Sequence, residues 1–581
     1  MRYLLRFLRP YIREAVLAPL FKLTEATLEL FVPIVMTAII DRGIDGGDDG
    51  FILSMGAVLA GIAVINVVIA VTAQYFAARA AVFFANDVKR ALFSHVLRLS
   101  SESIDGVGSA TLITRMTNDM NQVTSGVNLF LRLLLRSPFV IAGATVMAFT
   151  IDPGTALIFV AQIPVLALIV WFLLRITIPG YRDVQKKLDK VLLKIRENLS
   201  GVFVIRAFRR QKKEEELFSA ANNDVYESQM KVGGISAFLN PATLIVINLG
   251  MLILVYIGAV RVESGELTKG QIVAMINYMT LILLELVKLA NMIITVNRGL
   301  ACADRVREVF EYPEKTDGGE KINETNDVIM CKNVSLKYPG SPEEALSDIS
   351  FEIKKGETLG IIGGTGSGKS SLASLFLKFY EPTGGELLFF GQDIVRLSTD
   401  EVRALTGFVP QKSVLFKGTV RDNLLRGRAD ATDAELWEAL KLAQAEEFVR
   451  DKDGLDTGVE QEGANFSGGQ RQRLCIARAL VRLSGRGAAD SQETVRKPAG
   501  IFVADDSFSA LDNSTERSLR EGLKEFFADS DVICVIVSQR ISSVKDADRI
   551  LVLEDGKMAG LGTHGELMET CEVYREIAAV Q

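Results

Sequence analysis

The sequence predicts two architectures in series: an α-helical domain of six transmembrane helices, then an α/β domain built on a phosphate-binding loop. Three observations predict it. Apolar residues make up 49% of the 581 and mean hydropathy is +0.25, yet the long uncharged runs crowd into the first half, the mark of a membrane part joined to a globular part. After a polar, turn-rich stretch at 311–327, EYPEKTDGGEKINETND, strand-like and helix-like segments alternate. Among them, residues 363–370 read GGTGSGKS, the GxxxxGK[ST] pattern. We therefore divide the chain into residues 1–310 (membrane domain), 311–327 (linker) and 328–581 (nucleotide-binding domain).

Apolar stretches long enough to span a bilayer lie near 15–40, 51–80, 125–150, 155–175, 235–260 and 270–297. Phe51 to Gln74 and Ile235 to Val260 hold no charged residue, which sets aside the alternative of buried helices in a large soluble protein. Arg2, Arg6, Arg9 and Arg13 precede the first span and a dense Lys/Arg set occupies 182–213, whereas the short connections DRGIDGGDDG and IDPG are acidic. Basic connections stay inside, so the expectation is a multi-pass protein with both termini cytoplasmic.

Spans two and three, and spans four and five, are far apart in sequence. In the second gap Tyr181, Val184, Leu188, Val191, Ile195 and Leu199 recur at helical spacing. The membrane helices are thus expected to run on into the cytoplasm, with the turns SESIDGVGSATL and LSGVFVIRAFRRQ placed to touch another domain. A solvated helix pair is the plainer alternative. Lys22, Glu25 and Glu29 fall in the first span, Arg132 and Arg136 in the third, Glu285 and Lys288 in the sixth. Each such charge costs about 2.5–3.5 kcal/mol at bilayer depth. Two readings stay open: pairing between helices, or the polar lining of a water-filled path. Asn66, Asn240 and Asn248 are further candidates to face such a cavity.

A net charge of −6 and a pI near 5.5 give no basic face for nucleic acid. The five cysteines are scattered without CxxC spacing, which points away from disulfides and zinc. His95 and His564 are the whole histidine supply.

The phosphate loop has its proper context. The apolar run TLGIIG enters as a strand and SSLASLFLKF leaves as a helix. Gly363, Gly364, Thr365, Gly366, Ser367 and Gly368 let backbone N–H groups curl around phosphates, at a helix N-terminus that favours anions. Lys369 neutralises phosphate charge, the Ser370 hydroxyl suits Mg²⁺, and Ser371 follows on the helix. IFVAD, 501–505, reads as a buried strand whose terminal Asp505 is a ligand for the same ion through water. The expected cofactors are ATP and Mg²⁺.

Between these elements lies NFSGGQRQRL, 465–474, with Ser467, Gly468, Gly469 and Gln470. On this motif the chain resembles the ABC-transporter ATPases. Other family elements fall in order: Tyr338 in LKYPG, Gln411 in FVPQK, and Ser509, Ala510, Leu511 and Asp512 as SALD. Six spans fused ahead of such a domain resemble an ABC exporter half-transporter, so the likeness covers nearly the whole chain. The resemblance implies that Tyr338 stacks on adenine and Gln411 senses γ-phosphate and Mg²⁺. It implies that Ser467–Gln470 seal a nucleotide held by a second half-transporter, that SALD crosses the dimer interface, and that the two cytoplasmic turns are coupling helices. It further implies a bacterial inner (plasma) membrane, contact with membrane lipids, and a small-molecule, lipid or peptide cargo.

Two positions depart from the family pattern. Asp506 stands where the family places the glutamate that activates water, and Gln539 where it places the switch histidine. Asp is one methylene shorter, about 1.5 Å, and misplacement of about 1 Å can cost some 10²-fold in rate. Either change alone is compatible with a tolerated variant. Both together, with Gly363, Lys369, Ser370 and Asp505 retained, favour a site that holds ATP and cleaves it poorly. Exporters with one such degenerate site are asymmetric heterodimers, so the expected partner carries the consensus Glu and His and uses this chain's signature, intact apart from Phe466 where leucine is commoner. Alternating access is the implied cycle. A homodimer with slow hydrolysis, or an ATP-gated channel or regulatory protein, remains as an alternative. RLSGRGAADSQETVRKPAG, 482–500, is longer than the usual connection and reads as a surface loop.

Overall fold

The computed structural model describes residues 3–315, 318–322, 328–484, 499–528 and 530–580, with the backbone alone at 170, 174, 239, 240 and 499. Two compact units emerge: Met1–Val96 with Ala110–Glu311, and Leu97–Ser109 with Tyr312–Gln581.

Among the described residues six helical segments are long and apolar enough to cross a membrane: Leu4–Ile44, Asp49–Arg98, Ser109–Ile151, Pro153–Ser200, Gln211–Glu263 and Lys269–Glu311. The second runs for 50 residues, which at 1.5 Å per residue is about 75 Å, more than twice the hydrocarbon thickness of about 30 Å. The helical spacing read in 181–199 thus belongs to one continuous helix, Pro153–Ser200.

Small residues let these helices approach closely, as association without a water-driven hydrophobic term requires. Ala73, Ala77, Ala80, Ala81 and Ala85 form a buried stripe on the second helix, and Ala77 and Ala80 pack with Ala18 of the first. A Cβ on Gly126 of the third would sit 3.3 Å from the Gly299 Cα of the sixth.

Six of the seven intramembrane charges meet in one cluster, pairing both within and between helices, whereas the half-buried Arg132 stands outside it with its Nε unbonded. Arg136 donates to Glu29 Oε2 at 2.6 Å and bonds Glu285, with Glu25 at 3.8 Å. Ser137 Oγ donates to Glu285 Oε2 at 2.7 Å, Lys288 reaches Glu285 at 2.8 Å, and Lys22 bonds Glu25. The cluster joins the first, third and sixth helices with three positive and three negative side chains. Asn66 is half-buried with its Oδ1 unbonded, Asn248 is exposed, and the Asn240 side chain lies outside those described.

The first acidic connection is shorter than its sequence suggests, because the helix continues through a π-turn, Ile39–Ile44. Asp41 accepts from Thr268 Oγ1 at 2.5 Å and from the Gly270 N–H at 2.8 Å, fastening that turn to the start of the sixth helix.

The second unit is α/β. Its main sheet has the order Lys557–Gly562, Arg549–Glu554, Thr358–Gly363, Asp531–Ser538, Ala499–Asp505, Thr406–Val409. All neighbours are parallel except the first pair. Ile361, Ile362, Val503, Val535 and Val537 are buried in it, the near-continuous apolar pattern of a parallel sheet covered on both faces. An antiparallel sheet accompanies it, in the order Leu346–Lys354, Val328–Leu336, Gly384–Phe389, Gln392–Asp393. The carboxyl ends of three parallel strands bring Gly363, Asp505 and Ser538 to one edge, where open α/β sheets bind ligands.

Each of the two turns SESIDGVGSATL and LSGVFVIRAFRRQ contains a short helix. Ser101–Val107 is capped by Ser100, whose hydroxyl accepts from the Ser103 N–H at 3.1 Å. Lys315 N–H donates to Arg98 O at 2.9 Å and Ser103 Oγ to Pro313 O at 3.4 Å, which explains why Leu97–Ser109 groups with the second unit. The other turn, Val202–Ala207, leaves Phe203, Val204 and Phe208 exposed. Of the stretch 482–500, residues 485–498 lie outside the described residues; the preceding helix Gly468–Leu483 and following strand Ala499–Asp505 frame it.

Candidate functional site

The phosphate loop leaves the strand Thr358–Gly363 and enters the helix Lys369–Phe376. Gly366 at φ +85° and Gly368 at φ +94° take conformations that L side chains rarely adopt, and a Cβ on Gly363 would lie 2.2 Å from Leu553 O. Lys369 folds back over the loop and donates to Gly363 O at 2.9 Å, Gly364 O at 2.6 Å and Ser367 Oγ at 3.3 Å. Burial lowers its pKa, against the pull of Asp506 and Asp505. An ammonium held this way has its donors gathered where a phosphate oxygen can replace the carbonyls. Thr365, between the two loop glycines, is exposed.

Ser370 Oγ donates to Asp505 Oδ1 at 3.0 Å. Asp505 is buried, and that burial raises its pKa although Ser370 and Lys369 oppose it. A hydroxyl and a carboxylate side by side beneath a phosphate loop form an oxygen donor pair of the kind Mg²⁺ accepts together with substrate phosphates.

Asp506 follows at φ +44°, with its N–H donating to Val537 O at 2.9 Å. Its Oδ2 accepts from Gln411 Nε2 and Gln539 Nε2, each at 3.5 Å. Burial raises the Asp506 pKa, with Lys369 the largest opposing influence. Gln539 thus reaches the site, directly after the strand Asp531–Ser538. Neither histidine is brought here: His564 Nδ1 lies 2.7 Å from the Tyr574 hydroxyl, and His95 Nε2 lies 3.0 Å from Val309 O.

Tyr338 donates its hydroxyl to Ser371 Oγ at 3.0 Å and meets Tyr380 edge-to-face, ring centroids 4.9 Å apart. The sequence reading passed over Tyr380. Its signal was an aromatic residue in KFYEP, just where the chain leaves the phosphate-loop helix and turns back.

The signature residues form a second group. Ser467 caps the helix Gly468–Leu483 in a reciprocal box: its hydroxyl accepts from the Gln470 N–H at 3.3 Å, and its own N–H donates to Gln470 Oε1 at 3.0 Å. Ser467 and Gly468 are exposed, and Gly469 packs so that a Cβ would lie 3.3 Å from Ala510 O, near Leu511. Ser509 Oγ donates to Asp506 O at 2.9 Å, joining this group to the first, and Asp512 caps the next helix by accepting from Thr515 N–H at 3.1 Å. Phe466 is buried, edge-on to Phe448 at 6.1 Å.

Fold and site together define an ATP-binding phosphate-loop domain carried behind six membrane helices. Residues 16–286 match the family of ABC transporter transmembrane regions and residues 346–485 the ABC transporter family. An uncharacterized ABC transporter ATP-binding protein of Mycobacterium tuberculosis is 34% identical over 99% of this chain and 97% of its own length. An ATP-dependent lipid A-core flippase of Vibrio vulnificus is 27% identical over 99% of this chain and 96% of its own. A solved structure, described as a bacterial Atm1-family ABC exporter with ATP bound, shares the fold with TM-score 0.78 at 23% identity, covering 98% of both chains. The chain belongs to the ABC transporter family. It is a multi-pass membrane half-transporter of the exporter type, with an ATP-hydrolysing domain that works as a dimer on a transported substrate.

Proposed function

We propose that this chain is the degenerate-site subunit of a heterodimeric bacterial exporter that moves a lipophilic or amphipathic substrate out of the cytoplasm by alternating access. Its own site, Tyr338, Gly363 to Ser371 and Gln411, binds ATP; Ser370, Gln411 and Asp505 hold Mg²⁺; Ser467, Gly468, Gly469 and Gln470, with Ser509 to Asp512, complete the partner's site. Both termini lie in the cytoplasm, a reading supported by the basic residues ahead of the first span and at 182–213.

One observation carries the proposal. The carboxylate positioned to activate water, Asp506, is short and is flanked by two amides at 3.5 Å, those of Gln411 and Gln539. An amide can orient a water molecule but cannot take its proton at neutral pH, and no imidazole is at hand to exchange one. The binding half of the machinery keeps all its parts. ATP would therefore close the dimer here while cleavage proceeds in the partner's site.

The test is steady-state phosphate release in lipid nanodiscs. The chain alone should turn over about 10²-fold more slowly than the assembled pair, and Asp506→Ala in the pair should leave transport largely intact. Brisk turnover by the chain alone, or loss of transport with Asp506→Ala, would overturn the heterodimer reading.

A further inference from the structure

We infer that Tyr380 is a positioning residue that reports nucleotide occupancy to the turn Ser101–Val107, through the side-chain series Ser371, Tyr338, Tyr380, Asp105. The inference rests on the nucleotide site proposed above and deepens it.

The series is continuous. Ser371 adjoins Ser370, whose hydroxyl bonds Asp505. Tyr338 donates to Ser371 Oγ at 3.0 Å. Its ring meets that of Tyr380 at 89° with centroids 4.9 Å apart, the edge-to-face geometry that aromatic quadrupoles favour. The Tyr380 hydroxyl donates to Asp105 Oδ2. Burial and this carboxylate both push the phenol above its ordinary pKa, so the hydroxyl stays a donor throughout the physiological range.

Asp105 has no local reason for its place. It lies in the last turn of the short helix Ser101–Val107, where the helix dipole disfavours an anion, and it is exposed. Its contact with Tyr380 supplies the reason. The opposite side of the turn is pinned by Lys315 to Arg98 O and by Ser103 to Pro313 O. With its base held, the Asp105 end is free to follow the ring it bonds. A base stacked on Tyr338 fixes that ring, and the edge-to-face contact then fixes Tyr380. The chain enters the turn from the second membrane helix and leaves it toward the third, so ordering this turn acts on both.

The experiment is hydrogen exchange of 101–107 in the full chain in nanodiscs, with and without MgATP. ATP affinity is read in parallel by displacement of a fluorescent ATP analogue. In the unaltered chain nucleotide should slow exchange in the turn by about threefold or more. Tyr380→Phe and Asp105→Asn should each abolish that slowing while ATP affinity stays within about threefold, and the double variant should do no more than either alone. Tyr380→Phe that keeps the slowing, or that loses affinity as Lys369→Ala does, overturns the inference. A chain that binds ATP without any response in the turn overturns it alone; a chain that binds no ATP overturns the nucleotide site as well.

Discussion

Asp506 combines a left-handed backbone, a half-buried carboxylate and two amide neighbours. If the short side chain and the missing imidazole are what slow this site, restoring both should revive it. Asp506→Glu with Gln539→His is expected to raise phosphate release by the chain alone about 10- to 10²-fold, with either single change giving less. A double variant as slow as the starting protein would show the defect to lie elsewhere. The same carboxylate has a thermodynamic signature. Its folded pKa stands above the unfolded value because burial disfavours the charge, so the folded state binds more protons and the ionised group costs stability above that folded pKa. The cost fades as pH falls through the folded pKa and is gone below the unfolded value. At neutral pH Asp506→Asn should therefore raise the thermal midpoint of the nucleotide-free protein, and the gain should vanish in acid. Lys369, Ser370, Asp505, Asp506 and Gln539 were legible in the sequence because each sits at a fixed offset from a strand or glycine loop. Tyr380 was not: its importance comes from Tyr338 and Asp105, which lie 42 residues before it and 275 before it, and no local pattern encodes such a meeting.

At the scale of helices and strands, the membrane spans were readable because their apolar length, uncharged throughout in 51–74 and 235–260, has no soluble counterpart. The phosphate-loop strand and helix were readable because apolar runs flank the glycines. The ion cluster was readable only in part. The spacing of Lys22 with Glu25 and of Glu285 with Lys288 announces local pairs, but the bond from Arg136 to Glu29 and Glu285 joins residues more than a hundred positions apart. Arg136 is buried between those partners. Its removal leaves the half-buried Glu29 without its cation and the buried Glu285 with only Lys288 and Ser137, so Arg136→Ala should destabilise the membrane unit by about 3 kcal/mol, measured by thermal unfolding in nanodiscs. Adding Glu285→Gln to Arg136→Met should recover part of that loss, since two neutral side chains leave less charge stranded. A single variant as stable as the parent would mean that water already solvates the cluster. The π-turn Ile39–Ile44 escaped the sequence reading because DRGIDGGDDG has the composition of a loop; Thr268 and Gly270, far along the chain, hold it helical through Asp41.

For the molecule as a whole, two independent cores follow from two solvents. The membrane unit packs through small residues and paired charges, the second unit through a buried parallel sheet, and the chain crosses between them twice more than a simple tandem would, because Leu97–Ser109 belongs with the second unit. That excursion was foreshadowed by the distance between spans two and three, though the particular residues it touches were not.

The ion cluster also sets a condition on any opening of the membrane unit. Lys22, Glu25 and Glu29 leave the first helix with one negative charge in excess, matched by Arg136 on the third, while Glu285 and Lys288 cancel on the sixth. Prising the first helix from its two neighbours would strand opposite charges on facing walls. Such a seam can part only as fast as solvent floods it, which makes it a wet gate whose ease of opening should follow the ionic strength of the medium.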